Sequence, residues 1–371
     1  MKITCQREPL LAAFQTAAMV APTRSPKAIL QNVKIEATEK EVVMMATDME
    51  FSVRITVAGV EVDKPGSAVL PVSRFNSILR ESSDDQIRIE GTERGYTVKG
   101  ERSQFKLPAE NPEEFPNVPA FKESKYHVIA APLFRELVSR TEYATDVESS
   151  RFALGGVLLE LDGDKLTAVG TDGRRLAKMV GPAEAVGGHS TTEVQTIIRT
   201  QSMRLLGRAI ADSDEYVHVC SRGNDIVLRT PRATFTSRLV EGRFPRWRDV
   251  FPQRNNSIQI QLAVGPFFSA LRQAAVVAAE ESRGIDFDFG NGLLVLSAKS
   301  ANFGESRVEM PIPYDGAVIG VTLDHKFVAD FLKVLKPEQQ FTLDIESADA
   351  AALFSTDDGY SYVLMPLARD R

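Results

Sequence analysis

Ala168-Val169-Gly170-Thr171-Asp172-Gly173-Arg174-Arg175-Leu176-Ala177-Lys178-Met179 lies near the middle of the 371-residue chain, and its reading decides the fold. An apolar strand containing Leu166 and Ala168 runs into Thr171-Asp172-Gly173, where Asp and Gly supply turn chemistry, and a second strand leaves through Leu176 and Met179. This is the tip of a β-hairpin. Two fainter echoes flank it, Ala46-Thr47-Asp48-Met49-Glu50-Phe51 and Ser297-Ala298-Lys299-Ser300-Ala301-Asn302, so the chain reads as three versions of one unit.

Outward from the tips, each version opens with a helix that has Pro in its first turn, where the missing N–H is harmless. These openings are Glu8-Pro9-Leu10, Ala131-Pro132-Leu133 and Gly265-Pro266-Phe267, at intervals of 123 and 134 residues. A period that long means repeated domains, not a solenoid. Alternating stretches such as Val33-Lys34-Ile35-Glu36 follow, then a second helix carrying Phe75, Met203 or Phe327 at matching positions. Polar, Pro-bearing loops near Pro119–Ser124 and Pro252–Asn256 place the domains at 1–124, 125–253 and 254–371. The expected class is α+β, with two amphipathic helices laid on antiparallel sheets in each domain.

Composition places limits on function. The chain is 43% hydrophobic and 25% charged, enough for real cores. No run of about 18 uncharged apolar residues occurs, and Met1-Lys2-Ile3-Thr4-Cys5 lacks a signal-peptide core, so a cytoplasmic protein without a membrane partner is expected. Cys5 and Cys220 are far apart in sequence and read as buried thiols.

The net charge of −6 argues against nucleic acid until it is mapped. Segments 7–19, 71–80, 131–141, 199–208, 265–279 and 324–336 together carry +8, leaving −14 elsewhere. Two readings stand: solvated helix faces, or a basic wall formed if the helices all face one way.

The chemistry of catalysis is missing. The four histidines show no zinc spacing, no phosphate loop or nucleophile elbow is present, and no cofactor is implied. Asp162-Gly163-Asp164 reads as a hairpin turn, and Glu280-Glu281 with Asp286 and Asp288 as solvated edges. A triplicated, β-rich chain of this kind reads as a binding or scaffolding protein, not an enzyme.

Thr171-Asp172-Gly173-Arg174-Arg175-Leu176-Ala177, Gly242-Arg243-Phe244-Pro245 and Tyr362-Val363-Leu364-Met365-Pro366, in that order, resemble the bacterial sliding-clamp family, the β subunits of replicative DNA polymerase III. The resemblance spans the chain. It implies three pseudo-repeated clamp domains forming half of a closed ring, completed by a second copy head-to-tail. Double-stranded DNA passes through the hole without sequence reading, and enclosure lets phosphate contacts stay weak.

By position, the DNA-facing residues it implies are Arg24, Arg74, Arg80, Arg135, Arg140, Arg151, Phe152, Arg199, Arg204 and Arg208. It implies an outer groove for peptides of the replicative polymerase α subunit, the clamp loader and repair or translesion polymerases. That groove comprises Leu154, Thr171, Arg174, Arg175, Leu176, Pro245, Val250, Val363, Leu364, Met365 and Pro366. From the residues alone, Leu176, Val363 and Met365 read equally as strand core.

Phe105, Val276 and Val277 fall at the implied dimer seam, with Lys106 and Glu305 as a rim pair. Arg174 stands where the family commonly has His, and Asp249 where an Arg often lines the groove, so less acidic partner peptides are expected. The alternatives are a clamp-fold scaffold that does not encircle DNA and an enzyme without a recognisable motif.

Overall fold

Four antiparallel sheets organise the chain in a computed structural model that describes residues 1–92, 95–148, 153–254, 257–279 and 283–368. The backbone forms two compact units, one built from Met1–Arg135, Ala183–Ser190 and Gln201–Leu239, the other from Glu136–Pro182, Thr191–Thr200 and the chain from Val240 onward.

The first unit holds a nine-stranded and a five-stranded sheet. In the larger, Ala233–Arg238 of the second repeat pairs with Phe51–Val57 of the first, Phe235 opposite Val53. The second unit holds an eight-stranded and a four-stranded sheet. There Arg175–Pro182 of the second repeat pairs with Tyr360–Leu364 of the third, Leu176 opposite Val363. The middle repeat therefore donates strands to both units. Unpaired N–H and C=O groups on a strand edge invite pairing, and here neighbouring repeats supply the partner.

The six long helices are Arg7–Ala18, Val72–Glu81, Ala131–Thr141, Thr200–Ala209, Val264–Ala274 and His325–Lys333. Arg7–Ala18 buries Leu10, Phe14 and Ala17, the spacing of one helical face, and Phe14 meets Phe75 edge-to-face at 4.8 Å. In the second unit Phe267 and Phe331, from two helices, each lie 5.4 Å from Phe341. Asp324 caps its helix by accepting from the Lys326 N–H at 2.8 Å. Phe75 and Met203 are buried as the periodicity expects, whereas Phe327 is only half-buried and lies under the Arg175 guanidinium, 4.2 Å from its ring centroid. Cys5 and Cys220 are free and buried, and burial pushes the Cys5 thiol up to about 12.

The hairpin tips share one chemistry. In Thr171–Arg175, Asp172 Oδ1 accepts from the Arg174 and Arg175 N–H groups, while Thr171 Oγ1 accepts from Gly173 N and donates to Arg175 O. In Thr47–Phe51, Asp48 and Thr47 make the same four bonds. The third tip keeps only the Asn302 N–H to Ser300 Oγ bond of this set, because Ala301 has no carboxylate to accept.

Candidate peptide groove and basic helix faces

Strand pleating sorts the residues of the eight-stranded sheet onto two faces, since paired residues point the same way and neighbours alternate. On one face Ala177, Tyr362 and Phe354 are paired in a row, Met179 and Tyr360 follow, and Phe331 of the His325–Lys333 helix stacks on both tyrosines, 5.5 Å from Tyr360 and 5.4 Å from Tyr362. This is the helix-covered face.

On the far face Thr171, Leu176, Val363 and Leu353 stand in one row, Val169, Lys178 and Ser361 in the next. The ladder also extends past the strand ends, with Met365 N donating to Arg174 O at 3.0 Å, which aligns Arg174 with Met365.

A short segment lies over that far face. Phe244, Trp247 and Phe251 pack with Leu158, Val169, Leu176, Ile197 and Val363 in one apolar cluster. Phe244 N donates to Gln195 Oε1 at 2.9 Å, and Arg248 makes a two-point contact with Glu160 at 3.0 and 2.7 Å, so the segment is tied at both ends. Trp247–Val250 forms one helical turn, which leaves Val250 62% exposed; Met365 is 49% exposed. Covering each of these two side chains gains about 1–2 kcal/mol, so an apolar peptide has something to bury here.

The residues implied for the groove separate accordingly. Leu176 and Val363 form its floor, Val250, Met365 and Arg174 are exposed, and Pro245 and Pro366 are half-buried. Leu154 is buried beside Ala153, a member of the cluster. Thr171 spends its hydroxyl on the turn.

Two expectations need correction. Leu364 is fully buried and points to the helix-covered face, as does Arg175. The Arg175 guanidinium donates to Asp172 and Asp330 at 2.9 Å and to the Tyr143 carbonyl at 2.8 Å. Burial works against its charge, but Tyr362, Asp330 and Asp172 outweigh burial and hold it above its ordinary value. Arg175 positions the tip and does not line the groove.

Trp247 and Lys178 escaped the sequence reading. The i+2 spacing from Leu176 places Lys178 on the groove face, and Trp247 is the chain's single tryptophan, three residues past Phe244. Burial lowers the Lys178 ammonium, as do the neighbouring charges of Lys165 and Arg248.

Among the implied DNA contacts, Arg24, Arg74, Arg80, Arg199, Arg204 and Arg208 are exposed. Arg135 is partly covered, bonded to the Ala211 carbonyl and paired with Asp212 at 3.2 Å. Arg140 is a correction: it is 1% exposed and holds Asp358 at 2.8 Å together with Glu136, so no phosphate reaches it. Burial works to raise the Asp358 carboxyl, and the bonds from Arg140 and Thr356 override it to hold the group low. Arg151 and Phe152 lie outside the described residues, as do Glu280 and Glu281.

At the implied seam, Phe105 is 40% exposed on Gln104–Leu107, the edge strand of the five-stranded sheet. Val276 is exposed and Val277 half-buried. Glu305 is already paired with Lys299 at 2.6 Å on Gly304–Pro311, the edge of the four-stranded sheet. No helix of the described residues is long and apolar enough to cross a membrane.

Three family models match in succession: DNA polymerase III beta subunit, N-terminal domain over residues 1–119, central domain over 128–246 and C-terminal domain over 248–368. The beta sliding clamp of Pseudomonas aeruginosa is 30% identical over 374 residues, covering 99% of this chain and 100% of that one. The beta sliding clamp of Escherichia coli K12 is 26% identical over 371 residues, covering 99% and 100%. A crystal structure of a Pseudomonas aeruginosa sliding clamp bound to griselimycin superposes with a TM-score of 0.92 at 28% identity, both chains covered in full. The Bacillus subtilis clamp, at 21% identity and full coverage, shares the fold with a TM-score of 0.92.

Proposed function

The chain belongs to the DNA polymerase III beta subunit family, and from that membership we infer that it is the processivity factor of replication, a non-catalytic clamp that tethers the polymerase to its template. The observation that carries the reading is the unbroken succession of three clamp domains along the chain.

Two copies meet head-to-tail through their free sheet edges, with Phe105 of one against Val276 and Val277 of the other, and close a ring around duplex DNA. Pairing edge strands between copies removes the edges and buries apolar side chains that are otherwise wet. Arg24, Arg74, Arg80, Arg199, Arg204 and Arg208 meet phosphate without reading bases. Enclosure, not contact strength, keeps the ring on DNA, which suits a chain that is acidic overall and basic on its helices.

Partners dock on the far face of the eight-stranded sheet. Polymerase, clamp loader and repair proteins each lay a short apolar peptide over Leu176 and Val363, between Val250 and Met365; a methionine can repack around related sequences. Replication of the chromosome places this work in the cytoplasm.

The test is topological. The protein, loaded by a clamp loader onto nicked circular DNA and passed through a gel-filtration column, is expected to stay with the circle and to leave once the circle is cut open. Retention on the linear form, or a protein that stays monomeric at micromolar concentration, overturns the ring and favours a surface-binding scaffold.

A further inference from the structure

Among the described residues, two hydrogen-bond donors beside the Leu176 and Val363 floor have no acceptor. Lys178 stands one row beyond Leu176, between Val169 and Ser361, with its ammonium 3.8 Å from the Phe251 ring centroid and 6.0 Å from that of Trp247. Among the described residues no carboxylate pairs with it. Arg248, its neighbour, is matched to Glu160. The second donor is the indole N–H of Trp247, a side chain more than nine-tenths buried whose Nε1 finds no partner.

A half-buried ammonium without a fixed acceptor gains a charge-assisted bond when a ligand brings one. Lys178 sits one row from the Leu176 and Val363 floor, so whatever fills the floor brings its next residues within reach of the ammonium, whereas the indole N–H of Trp247 is sealed beneath the surface.

We propose that Lys178, flanked by the Trp247 and Phe251 rings, forms an acid subsite at one end of the groove, which receives a single carboxylate side chain of the partner peptide. This rests on the peptide-groove reading above and adds the class of residue that the peptide must carry. Phe251 and Trp247 cover one side of the half-buried Lys178, which strengthens a charge-assisted bond made there.

The charge pattern around it limits the preference to one acid. Beyond lies an open cleft of about 470 Å³ where Glu160, Asp162 and Glu193 stand with Lys165 and with Arg248, which holds Glu160, and at the other margin stands Asp249, exposed and paired loosely with Arg246 at 3.8 Å. With Arg248 matched to Glu160, Asp162 and Glu193 outnumber Lys165 in the cleft, so a second acid gains less there than one carboxylate gains at Lys178. The groove thus places its acid preference on the sheet and withholds it from the Asp249 margin.

Trp247 makes the test direct, because its emission is the chain's only tryptophan signal. Synthetic peptides carrying the apolar motif, with one Glu walked through the flanking positions and a Gln twin for each, are titrated into the full chain at low salt. At one position the Glu peptide is expected to bind about fivefold more tightly than its twin and to shift the Trp247 emission. Within Lys178→Met, which keeps the stem over Phe251, the Glu and Gln peptides should bind alike, and Lys178→Arg should restore the gap. Equal binding of every Glu and Gln pair, or a gap that persists in Lys178→Met, overturns the acid subsite with the groove intact. If no peptide binds the unaltered chain, the groove reading falls and the subsite with it.

Discussion

The hairpin tips Thr47–Phe51 and Thr171–Arg175 close with the same four hydrogen bonds, yet they carry different loads. After the first comes Phe51, which is buried and stacked on Phe235 at 6.2 Å. After the second comes Arg175, a largely covered guanidinium that ties Asp172, Asp330 and the Tyr143 carbonyl together over the Phe327 ring. One tip ends in apolar packing, the other in a polar junction. The difference shows a repeated backbone solution kept while the side chain behind it is reassigned. In the second repeat the junction fixes the strand that presents Arg174 and Leu176 to the groove.

Removing the guanidinium separates the two most sharply. Arg175→Ala strips Asp172 of its ion pair and leaves Asp330 with only the exposed Lys333, and should cost about 3–5 kcal/mol in urea unfolding. Phe51→Ala, a cavity mutation at the matching place, should cost about the same. Only Arg175→Ala should also weaken peptide binding. If Arg175→Ala binds peptide normally once folded, the junction does not serve the groove.

The turn aspartates come next. Asp48→Ala removes one acceptor of two backbone N–H bonds, about 1–2 kcal/mol. Asp172→Ala removes the same acceptor together with an ion pair at 2.9 Å, so about 2–4 kcal/mol is expected. Equal losses at the two sites would mean that the ion pair adds nothing. A double-mutant cycle between Asp172→Ala and Arg175→Ala isolates the pair, with a coupling of about 1–3 kcal/mol expected.

Local signals made much of this visible in the chain. Thr-Asp before a strand announces the tip, and Pro in a first turn announces the helix, because both act within a few residues. Sheet continuity between repeats was hidden, since pairing Phe235 with Val53 depends on strands that are far apart in sequence. Strand parity could have separated Leu176 and Val363 from Arg175 and Leu364, because adjacent strand residues face opposite ways. Arg140 misled for a related reason: a basic residue on a helix reads as solvated until its partner, Asp358, is seen to come from 218 positions away. Trp247 belongs to no local motif and Lys178 has no turn role within the hairpin stretch, so their meaning lies in the Leu176 cluster they border.

The smallest expected effect concerns a single backbone angle. Gly173 sits at φ 88°, where glycine is unstrained, and the equivalent residue of the first tip is Met49 at φ 79°. A β-carbon in that left-handed region costs about 1–2 kcal/mol, and Met49 is 45% exposed, so its side chain recovers little by burial. Met49→Gly should therefore stabilise the protein, by about 0.5–1 kcal/mol after the extra freedom of glycine in the unfolded chain is subtracted. The reverse exchange isolates the same term, because a β-carbon added at Gly173 meets nothing within 4 Å and Gly173→Ala can act only through the backbone. A loss of about 1 kcal/mol there, beside a gain at Met49→Gly, assigns the strain to φ. A loss at both positions would instead show that the Met49 side chain contributes contacts that the first tip needs.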